Sequence, residues 1–358
     1  MANGQSVVPG MILLIGSGES TGSSGRAFEA LVKRLGIAHR ISVLETPAGF
    51  ELNSERVAGR VAEYLEKRLQ NYKPKVVTIP ARHRNFPYST EDEKLAKKVA
   101  ESNILFLGPG SPSYAVRHLK NSLVWRTLQA RHRSGAYLAF ASAAALAVGR
   151  CAIPVYEIFK AGDDPHWIPG LDLLGPYGLS LTIIPHWNNA EGGSGLDTSR
   201  CFIGKPRFDF LFSQLQEDTT VIGLEEHTSM IMDFKRACSK VFGKGAVHVL
   251  TKVGGEHIFR SGETFPFSML GRFFLPEDLN FGIAEDIFRL LQEDQDETVS
   301  SPDEGAPDLV RQLVEKRNRA RAEKDWAAAD YLRVEITRLG WQVVDTAHGS
   351  EVKPLKAD

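Results

Sequence analysis

The stretch of sequence that decides the fold is Gly135-Ala-Tyr-Leu-Ala-Phe-Ala-Ser142-Ala-Ala-Ala-Leu-Ala-Val-Gly149. Residues 136–141 form an apolar run typical of a buried parallel strand. The run ends at one hydroxyl, Ser142, and the alanine-rich segment after it has high helix propensity. A serine on such a strand-to-helix turn projects its oxygen above the sheet, toward the N–H groups of the helix start. The stretch therefore predicts either a hydrolase nucleophile or an N-cap serine at an ordinary turn.

Composition predicts a globular protein without membrane contact. The 358 residues suffice for one large domain with an appendage, and 42% hydrophobic with 24% charged residues is ordinary for that class. A formal net charge of −1 gives no global attraction for nucleic acid, so such contact needs a local basic patch. The three cysteines form neither a disulfide framework nor a zinc motif. The N-terminus is unlike a signal peptide and the apolar runs are short, which predicts a cytoplasmic location.

Apolar runs alternate with amphipathic segments over the first half of the chain. This alternation predicts an α/β fold, a mostly parallel sheet with helices on both faces. The predicted strands are residues 11–15, 41–45, 76–79, 104–107 and 136–141, and the predicted helices are residues 25–35, 54–70, 91–101, 113–132 and 143–148. Further strands, expected as an antiparallel or mixed extension of the same sheet, are residues 179–184, 220–224, 229–234, 246–251 and 256–260.

A change of composition divides the chain into domains. Residues 292–307 contain six acidic residues, no Lys or Arg and no apolar periodicity, as a solvated linker does. The predicted domains are therefore residues 1–291 and 308–358, joined by this linker. Within the second, the pattern predicts two helices, 308–323 and 326–339, and a strand, 341–344.

A serine nucleophile requires a base, and the base requires an acid that orients it. His186 follows an apolar run and is expected at a strand end, where the active sites of open α/β sheets lie. Glu157 has apolar neighbours, and burying an unpaired carboxylate is costly, so it is a candidate acid. Glu225 and Glu226 follow a predicted strand and are the alternative acids. Each of these residues also has a plain structural interpretation as a loop or rim group.

Stabilising an oxyanion requires backbone donors aimed at the developing charge. The glycine-rich turn at residues 107–112 offers the Gly110 N–H, and the Ala143 N–H is the second candidate donor. The same turn is equally typical of a plain strand-to-helix connection.

Two other patterns predict neither a cofactor nor a metal. The glycine-rich loop at residues 16–25, with Glu45 downstream, suggests a dinucleotide site, but Thr21 breaks the Gly-x-Gly-x-x-Gly spacing. His166 with Asp163 and Asp164 lacks any recognised ligand spacing.

Residues 11–270 resemble the cyanophycinase and aspartyl-dipeptidase group of serine peptidases, which have the class I glutamine amidotransferase-like fold. The resemblance rests on Leu14-Ile-Gly-Ser-Gly-Glu19, Thr46-Pro-Ala-Gly49 and Gly108-Pro-Gly110. It implies cleavage of a peptide or isopeptide bond next to an acidic residue, without metal. The implied roles are Ser142 as nucleophile, His186 as general base and Glu157 as orienting acid.

The chain departs from that group at the turn itself. The group has Gly-x-Ser-Ala-Gly, whereas this chain has Phe140-Ala-Ser-Ala-Ala144. Losing both glycines predicts a wider bend that displaces the serine oxygen or the Ala143 donor, and about 1 Å of displacement can cost on the order of a hundredfold in rate. Two functions therefore stay open: a serine hydrolase acting on a small peptide-like substrate, or an inactive binding module.

Residues 309–349 resemble the C-terminal helical hairpin of cysteinyl-tRNA synthetases, which implies a tRNA or protein partner for residues 308–358. The segment contains basic residues that suit phosphate contact, although a solvated helix face is the simpler interpretation: Arg317, Arg319, Arg321 and Lys324. The chain contains neither His-Ile-Gly-His nor Lys-Met-Ser-Lys-Ser, so aminoacylation is not predicted. The oligomeric state is not predicted.

Overall fold

The central strands are apolar on both faces, as in sheets covered by helices on both sides. All four residues of the first strand, Ile12–Ile15 (β1), are buried. Ile12 and Leu14 pack into one core, and Leu13 and Ile15 pack into a second core on the opposite face. The computed structural model describes residues 8–36, 39–276, 283–284, 287, 291, 308–323, 325–346 and 349–355.

The chain divides into two units, residues 1–291 and 292–358. The described strands of the first unit are Ile12–Ile15 (β1), Arg40–Leu44 (β2), Lys75–Ile79 (β3), Ile104–Leu107 (β4), Tyr137–Ala141 (β5), Cys151–Ala152 (β6), Ile168–Pro169 (β7), Leu181–Ile184 (β8), Thr220–Leu224 (β9), Thr228–Asp233 (β10), Cys238–Gly243 (β11), Ala246–Thr251 (β12), Gly255–Arg260 (β13) and Thr264–Pro266 (β14). Its described helices are Gly22–Leu35 (α1), Ser54–Arg68 (α2), Glu93–Ala100 (α3), Pro112–Leu119 (α4), Leu123–Arg133 (α5), Ala143–Ala147 (α6) and Lys205–Gln214 (α7).

The main sheet has eight strands in the order β14-β11-β10-β1-β5-β4-β2-β3. The five strands from β1 to β3 in this order run parallel, and β10, β11 and β14 are antiparallel additions at one edge. Helices α1 and α2 contribute to one core, and α3 to α6 contribute to the other. The predicted α/β class is thereby confirmed.

The predicted extension of the sheet is wrong in part, because β8, β9, β12 and β13 form a separate four-stranded sheet. The chain changes sheets between β9 and β10, where His227 has a left-handed backbone with φ 56°. The single helix predicted over residues 113–132 is two helices, α4 and α5. Asn121, with φ 61°, breaks it, and the Ser122 side chain caps α5 by accepting from the Trp125 N–H at 3.2 Å. Helix α7 and strand β11 were not predicted.

The second unit contains a helix pair and a hairpin. Its elements are Asp308–Ala322 (α8), Trp326–Arg338 (α9), Trp341–Thr346 (β15) and Gly349–Pro354 (β16). The Asp325 side chain caps α9 by accepting from the Ala328 N–H at 3.0 Å. Strands β15 and β16 pair antiparallel, and only the first was predicted. The core of this unit consists of buried aliphatic residues: Val310, Val314, Ile336, Val343 and Val352.

Candidate active site

Ser142 lies between β5 and α6 in a strained backbone conformation. Its φ of 50° and ψ of −117° are unusual for a residue with a side chain, and such strain concentrates at functional sites. Its N–H donates to the Ile15 carbonyl at 3.1 Å, which ties the turn to β1. Its Oγ lies 2.8 Å from Nε2 of His186. The structure therefore brings together the serine and histidine selected from the sequence.

His186 lies just beyond the end of β8, also with a left-handed backbone at φ 50°. Its N–H donates to the Gly16 carbonyl at 3.3 Å. Its ring is bonded at both nitrogens, since Nδ1 lies 3.0 Å from Oε1 of Glu226. Hydroxyl, imidazole and carboxylate thus form a continuous hydrogen-bonded chain, the arrangement that activates a serine in hydrolases.

Glu226 lies in the turn between β9 and β10 and is held by several donors. Besides the contact with His186, its carboxylate accepts from Asn189 Nδ2 at 2.9 Å and from Ser17 Oγ at 3.1 Å. Burial by itself raises the pKa of Glu226, but the hydrogen bonds from Asn189, His186 and Ser17 outweigh burial and lower the pKa below its ordinary value. The group is therefore suited to remain an ionised partner of the imidazole.

The acid implied by the resemblance, Glu157, does not contact His186. It lies in a helical turn, Glu157–Ala161, and its Oε1 accepts from Ser113 Oγ at 2.5 Å. Its Oε2 is buried without a hydrogen-bond partner among the described residues. The assignment failed because the order of residues in the chain does not report which strand end faces the imidazole. Glu226, one of the two alternatives, occupies that position.

Glu225, the other alternative acid, points away from His186. Its Oε2 accepts from the Ala246 N–H at 2.8 Å, and its Oε1 lies 3.1 Å from Nε2 of His248. The adjacent carboxylates therefore face different surroundings.

The glycine-rich loop after β1 contacts the turn that carries Glu225, Glu226 and His227. Ser17 Oγ donates to Glu226 and accepts from the His227 N–H at 2.9 Å. A Cβ on Gly16 would lie 2.4 Å from the Glu225 carbonyl oxygen, so this close approach requires glycine. Glu45, the candidate ribose acid, is buried and accepts from Arg82 Nε at 2.6 Å. Close packing against the Glu225 carbonyl therefore accounts for Gly16, one of the glycines that suggested a nucleotide site.

The two candidate oxyanion donors follow neighbouring parallel strands. Strands β4 and β5 pair with Leu107 opposite Phe140, so the turns that follow them lie at the same edge of the sheet. Gly110 has φ 144°, and a Cβ there would lie 1.9 Å from the Pro47 carbonyl oxygen. Ala143 is the first residue of α6, where helix N–H groups lack partners within the helix.

The turn brings the serine oxygen to the histidine without the two glycines. Phe140 and Ala144 are both buried in the core that contains α6. The Ser142 oxygen nevertheless reaches Nε2 of His186, so the displacement expected from the glycine-free turn is not observed for the oxygen. The Phe140 side chain is accommodated because the sheet face beneath it is apolar.

A groove that was not predicted lies beside the histidine. The Phe202 ring centroid is 5.8 Å from that of His186, and Phe202 also lines a groove of about 410 Å³. The lining is largely apolar with a charged rim: Val155, Tyr156, Phe159, Lys160, Glu191, Gly192, Leu196, Thr198 and Phe202.

The remaining predicted residues have varied positions. His166 is exposed, and the residues that the structure describes contain no group of three side chains suited to a metal ion.

Burial raises the pKa of the Cys201 thiol to about 12, so this thiol is protonated at neutral pH. No helix in the described part of the chain is both long and apolar enough to cross a membrane.

The four predicted RNA-contacting residues differ in their exposure to solvent. Arg317 is only 4% exposed and donates to Ser350 Oγ at 3.2 Å, so its prediction as a surface contact is wrong. Its guanidinium is used inside the second unit. Arg319 is exposed and Arg321 is half-buried, whereas Lys324 lies outside the described residues.

Comparison with solved structures supports the fold of the first unit. The structure of a peptidase from an acI-B1 Actinobacterium aligns over 74% of this chain and 99% of that chain, with a TM-score of 0.59 and 18% identity. The predicted resemblance to a peptidase is thereby confirmed at the level of the fold.

The second unit matches a different family. Residues 303–351 match the family model of the cysteinyl-tRNA ligase anticodon binding domain. The cysteine–tRNA ligase of Chlamydia caviae is 47% identical over 55 residues, which are 15% of this chain and 12% of that protein. That of Caldicellulosiruptor saccharolyticus is 42% identical over 60 residues, 17% of this chain and 13% of that protein. The chain thus spans only a small part of the curated relatives it matches.

Proposed function

We propose that the first unit is a serine hydrolase that cleaves a peptide or isopeptide bond. The observation that carries the proposal is the continuous hydrogen-bonded chain from Ser142 through His186 to Glu226, with contacts of 2.8 and 3.0 Å. Strained left-handed backbone at both Ser142 and His186 supports a functional rather than a purely structural turn.

In the proposed reaction, His186 Nε2 takes the Ser142 proton as Oγ forms a bond to the substrate carbonyl carbon. The Gly110 and Ala143 N–H groups donate to the resulting oxyanion. His186 then gives its proton to the leaving amine as the carbon–nitrogen bond breaks, which leaves an acyl-serine. Water, deprotonated by His186, releases the acid and restores the serine. Glu226 holds the imidazole in orientation and stabilises its charged form.

The groove beside Phe202 is the proposed position of a substrate side chain. Its walls suit the apolar part of a peptide, and Lys160 is a lining cation that suits a carboxylate. The lining also contains the anion Glu191, so a preference for an acidic residue rests on the sequence resemblance rather than on the charge of the groove.

A fluorophosphonate probe, which reacts with activated serines, tests the proposal. We expect the full chain to be labelled on Ser142, Ser142→Ala to be unlabelled, and Ser134→Ala to be labelled like the wild type. Ser134 is an exposed serine at the end of α5 whose hydroxyl bonds to the Ala130 carbonyl, so it is a matched control. Equal labelling of wild type and Ser142→Ala, or none of either, would favour the inactive binding module.

A second function, contact with RNA of the tRNA type, is proposed for residues 308–358. It is supported by the match to an anticodon-binding family and by the exposed cations Lys316 and Arg319 on one helix. Anisotropy of a fluorescent tRNA titrated with the full chain tests this contact, and a protein partner remains the alternative occupant.

A further inference from the structure

One buried side chain connects the orienting acid to the wall of the groove beside Phe202. Asn189 is 5% exposed, and its N–H donates to the His186 carbonyl at 3.1 Å. Its side-chain Nδ2 donates to Oε1 of Glu226 at 2.9 Å, and its Oδ1 accepts from the Glu191 N–H at 3.1 Å. The orientation of this amide is fixed, because an ionised carboxylate only accepts and a backbone N–H only donates.

The nitrogen end of the amide shares its carboxylate oxygen with the histidine. Nδ1 of His186 lies 3.0 Å from the same Oε1 of Glu226, so two groups converge on one oxygen. The preceding residue, Asn188, accepts from the Glu226 N–H at 2.8 Å through its Oδ1. Two consecutive asparagines therefore hold the backbone and the carboxylate of Glu226. Because Ser17 donates to Oε2, Asn189 is the donor that fixes Oε1 beside the imidazole.

The oxygen end of the amide holds a wall of the groove. Glu191, whose N–H the amide accepts, begins a segment that supplies four of the groove's lining residues: Glu191, Gly192, Leu196 and Thr198. Thr198 closes this segment, because its Oγ1 accepts from the Gly192 N–H at 3.0 Å and donates to the Asn189 carbonyl at 3.5 Å. The groove wall and the acid thus depend on one buried side chain.

We propose that Asn189 is a positioning residue for both parts of the site: its amide nitrogen holds Glu226 against His186, and its amide oxygen holds the groove wall. This inference rests on the proposed serine hydrolase function. Loss of the nitrogen end should slow the chemical step, because Glu226 then orients the imidazole less well. Loss of the oxygen end should weaken binding of the group that fills the groove.

Saturation kinetics of labelling separate these two effects. The probe is a fluorophosphonate with a long alkyl chain, which suits the apolar lining, and the full chain is labelled at increasing probe concentration. Asn189→Ala should lower the maximal labelling rate about 10–100-fold and raise the half-saturating concentration several-fold. Thr198→Val removes the groove hydroxyl but not the amide, so it should raise only the half-saturating concentration. Asn71→Ala, at an exposed asparagine before β3, should match the wild type.

A double variant tests whether Asn189 acts through Glu226. Adding Asn189→Ala to Glu226→Gln should slow the maximal rate little further, because the positioned carboxylate is already absent. Multiplication of the two single effects would instead assign Asn189 a separate structural role. Asn189→Ser, whose hydroxyl is too short to reach both partners, is measured alongside and replaces the alanine variant if that variant does not fold.

Proton NMR gives a measurement independent of labelling. The His186 Nδ1–H that faces Glu226 should give a far-downfield signal, assigned by its loss in His186→Gln. We expect this proton to exchange faster with water in Asn189→Ala and to be unchanged in Thr198→Val.

Two results would overturn the role of Asn189 even if Ser142 is labelled. One is an unchanged His186 signal in Asn189→Ala, and the other is an equal effect of Asn189→Ala and Thr198→Val on the maximal rate. Absence of Ser142 labelling in the wild type would instead overturn the hydrolase function itself, whatever the spectra show.

Discussion

At the scale of single residues, unfavourable backbone conformations coincide with the candidate chemistry. Ser142, His186 and His227 all have positive φ values, between 50° and 56°, and all three lie at the site. Each such conformation costs on the order of 1–3 kcal/mol and persists only where the surroundings enforce it. Here the enforcement is visible, because backbone hydrogen bonds tie Ser142 to Ile15 and His186 to Gly16. The site is therefore held by the ends of strands rather than by its own side chains alone.

The identity of the acid can be tested by removing charge while preserving shape. Glu226→Gln should slow labelling of Ser142 by about 10³–10⁴-fold, since an amide favours the wrong imidazole tautomer and cannot stabilise the imidazolium. Glu157→Gln should stay close to the wild type, because Glu157 bonds to Ser113 and not to His186. Labelling rates of the two variants, measured side by side at pH 7.5, distinguish the assignments. A loss in Glu157→Gln as deep as in Glu226→Gln would contradict ours.

A buried histidine away from the site predicts how stability depends on pH. Burial lowers the pKa of His132 from 6.5 to about 3, and the ring packs among Tyr177 and Phe234. The unfolded chain takes up this proton near pH 6.5 and the folded chain only near pH 3. The free energy of unfolding should therefore fall as pH drops through that window, by about 5 kcal/mol across the whole window.

Urea unfolding followed by circular dichroism between pH 7 and pH 4 measures this effect. His132→Phe, which retains an aromatic ring, should show a shallower decline in stability than the wild type. The exposed His257→Gln should decline like the wild type. An identical decline in all three proteins would assign the acid sensitivity to other groups.

At the scale of elements, sequence patterns predicted strands better than the contacts between their ends. The five parallel strands could be predicted because each contains an apolar run, although only four are largely buried and the edge strand β3 is half-exposed. Ser142 could be selected because it ends one of these runs. Glu226 could not be singled out from Glu157, since that choice depends on the position of the β9–β10 turn. This turn returns the chain from the four-stranded sheet to the main sheet through His227, whose positive φ is uncommon for a residue with a side chain and is marked by no motif in the sequence. Helix α7 was missed because its apolar residues lack a clear helical period.

The turn after β4 makes a prediction about the oxyanion donors. Gly110→Ala would force a Cβ against the Pro47 carbonyl in a backbone conformation that alanine avoids. We expect labelling of Ser142 to fall by about 10²–10³-fold, the effect of losing one oxyanion donor. The free energy of unfolding should fall by about 2 kcal/mol or more.

Gly59→Ala is the matched control for that substitution. Gly59 lies inside α2, and a Cβ added there would meet no heavy atom within 4 Å, so alanine should fit and raise stability by about 0.5–1 kcal/mol. Labelling should be unchanged, because α2 does not carry a site residue. Thermal unfolding should therefore show Gly110→Ala to be less stable and Gly59→Ala to be more stable than the wild type. Labelling of Ser142 should be slower only in Gly110→Ala. If Gly110→Ala labels normally, Gly110 is not a donor.

At the scale of the whole molecule, the chain joins two units with different similarities. The first has the fold of a peptidase structure, and the second matches a domain family of tRNA ligases. The second unit has its own small core, from Val310 to Val352, and uses Arg317 internally. Because burial removes Arg317 from the surface, the proposed phosphate contact depends on exposed cations such as Lys316 and Arg319, which the sequence alone could not separate from Arg317.

The proposed RNA contact predicts a specific dependence on salt. Replacing the exposed Lys316 and Arg319 by alanine should weaken tRNA binding by the full chain, and the slope of log affinity against log salt should decrease by about 1.5, since each phosphate contact contributes roughly 0.7–0.9. Replacing the exposed Lys67 and Lys73 of the first unit removes the same charge and should leave the slope unchanged. Fluorescence anisotropy at several salt concentrations measures both slopes. If the two double variants behave alike, binding reflects general charge and the specific RNA contact is contradicted.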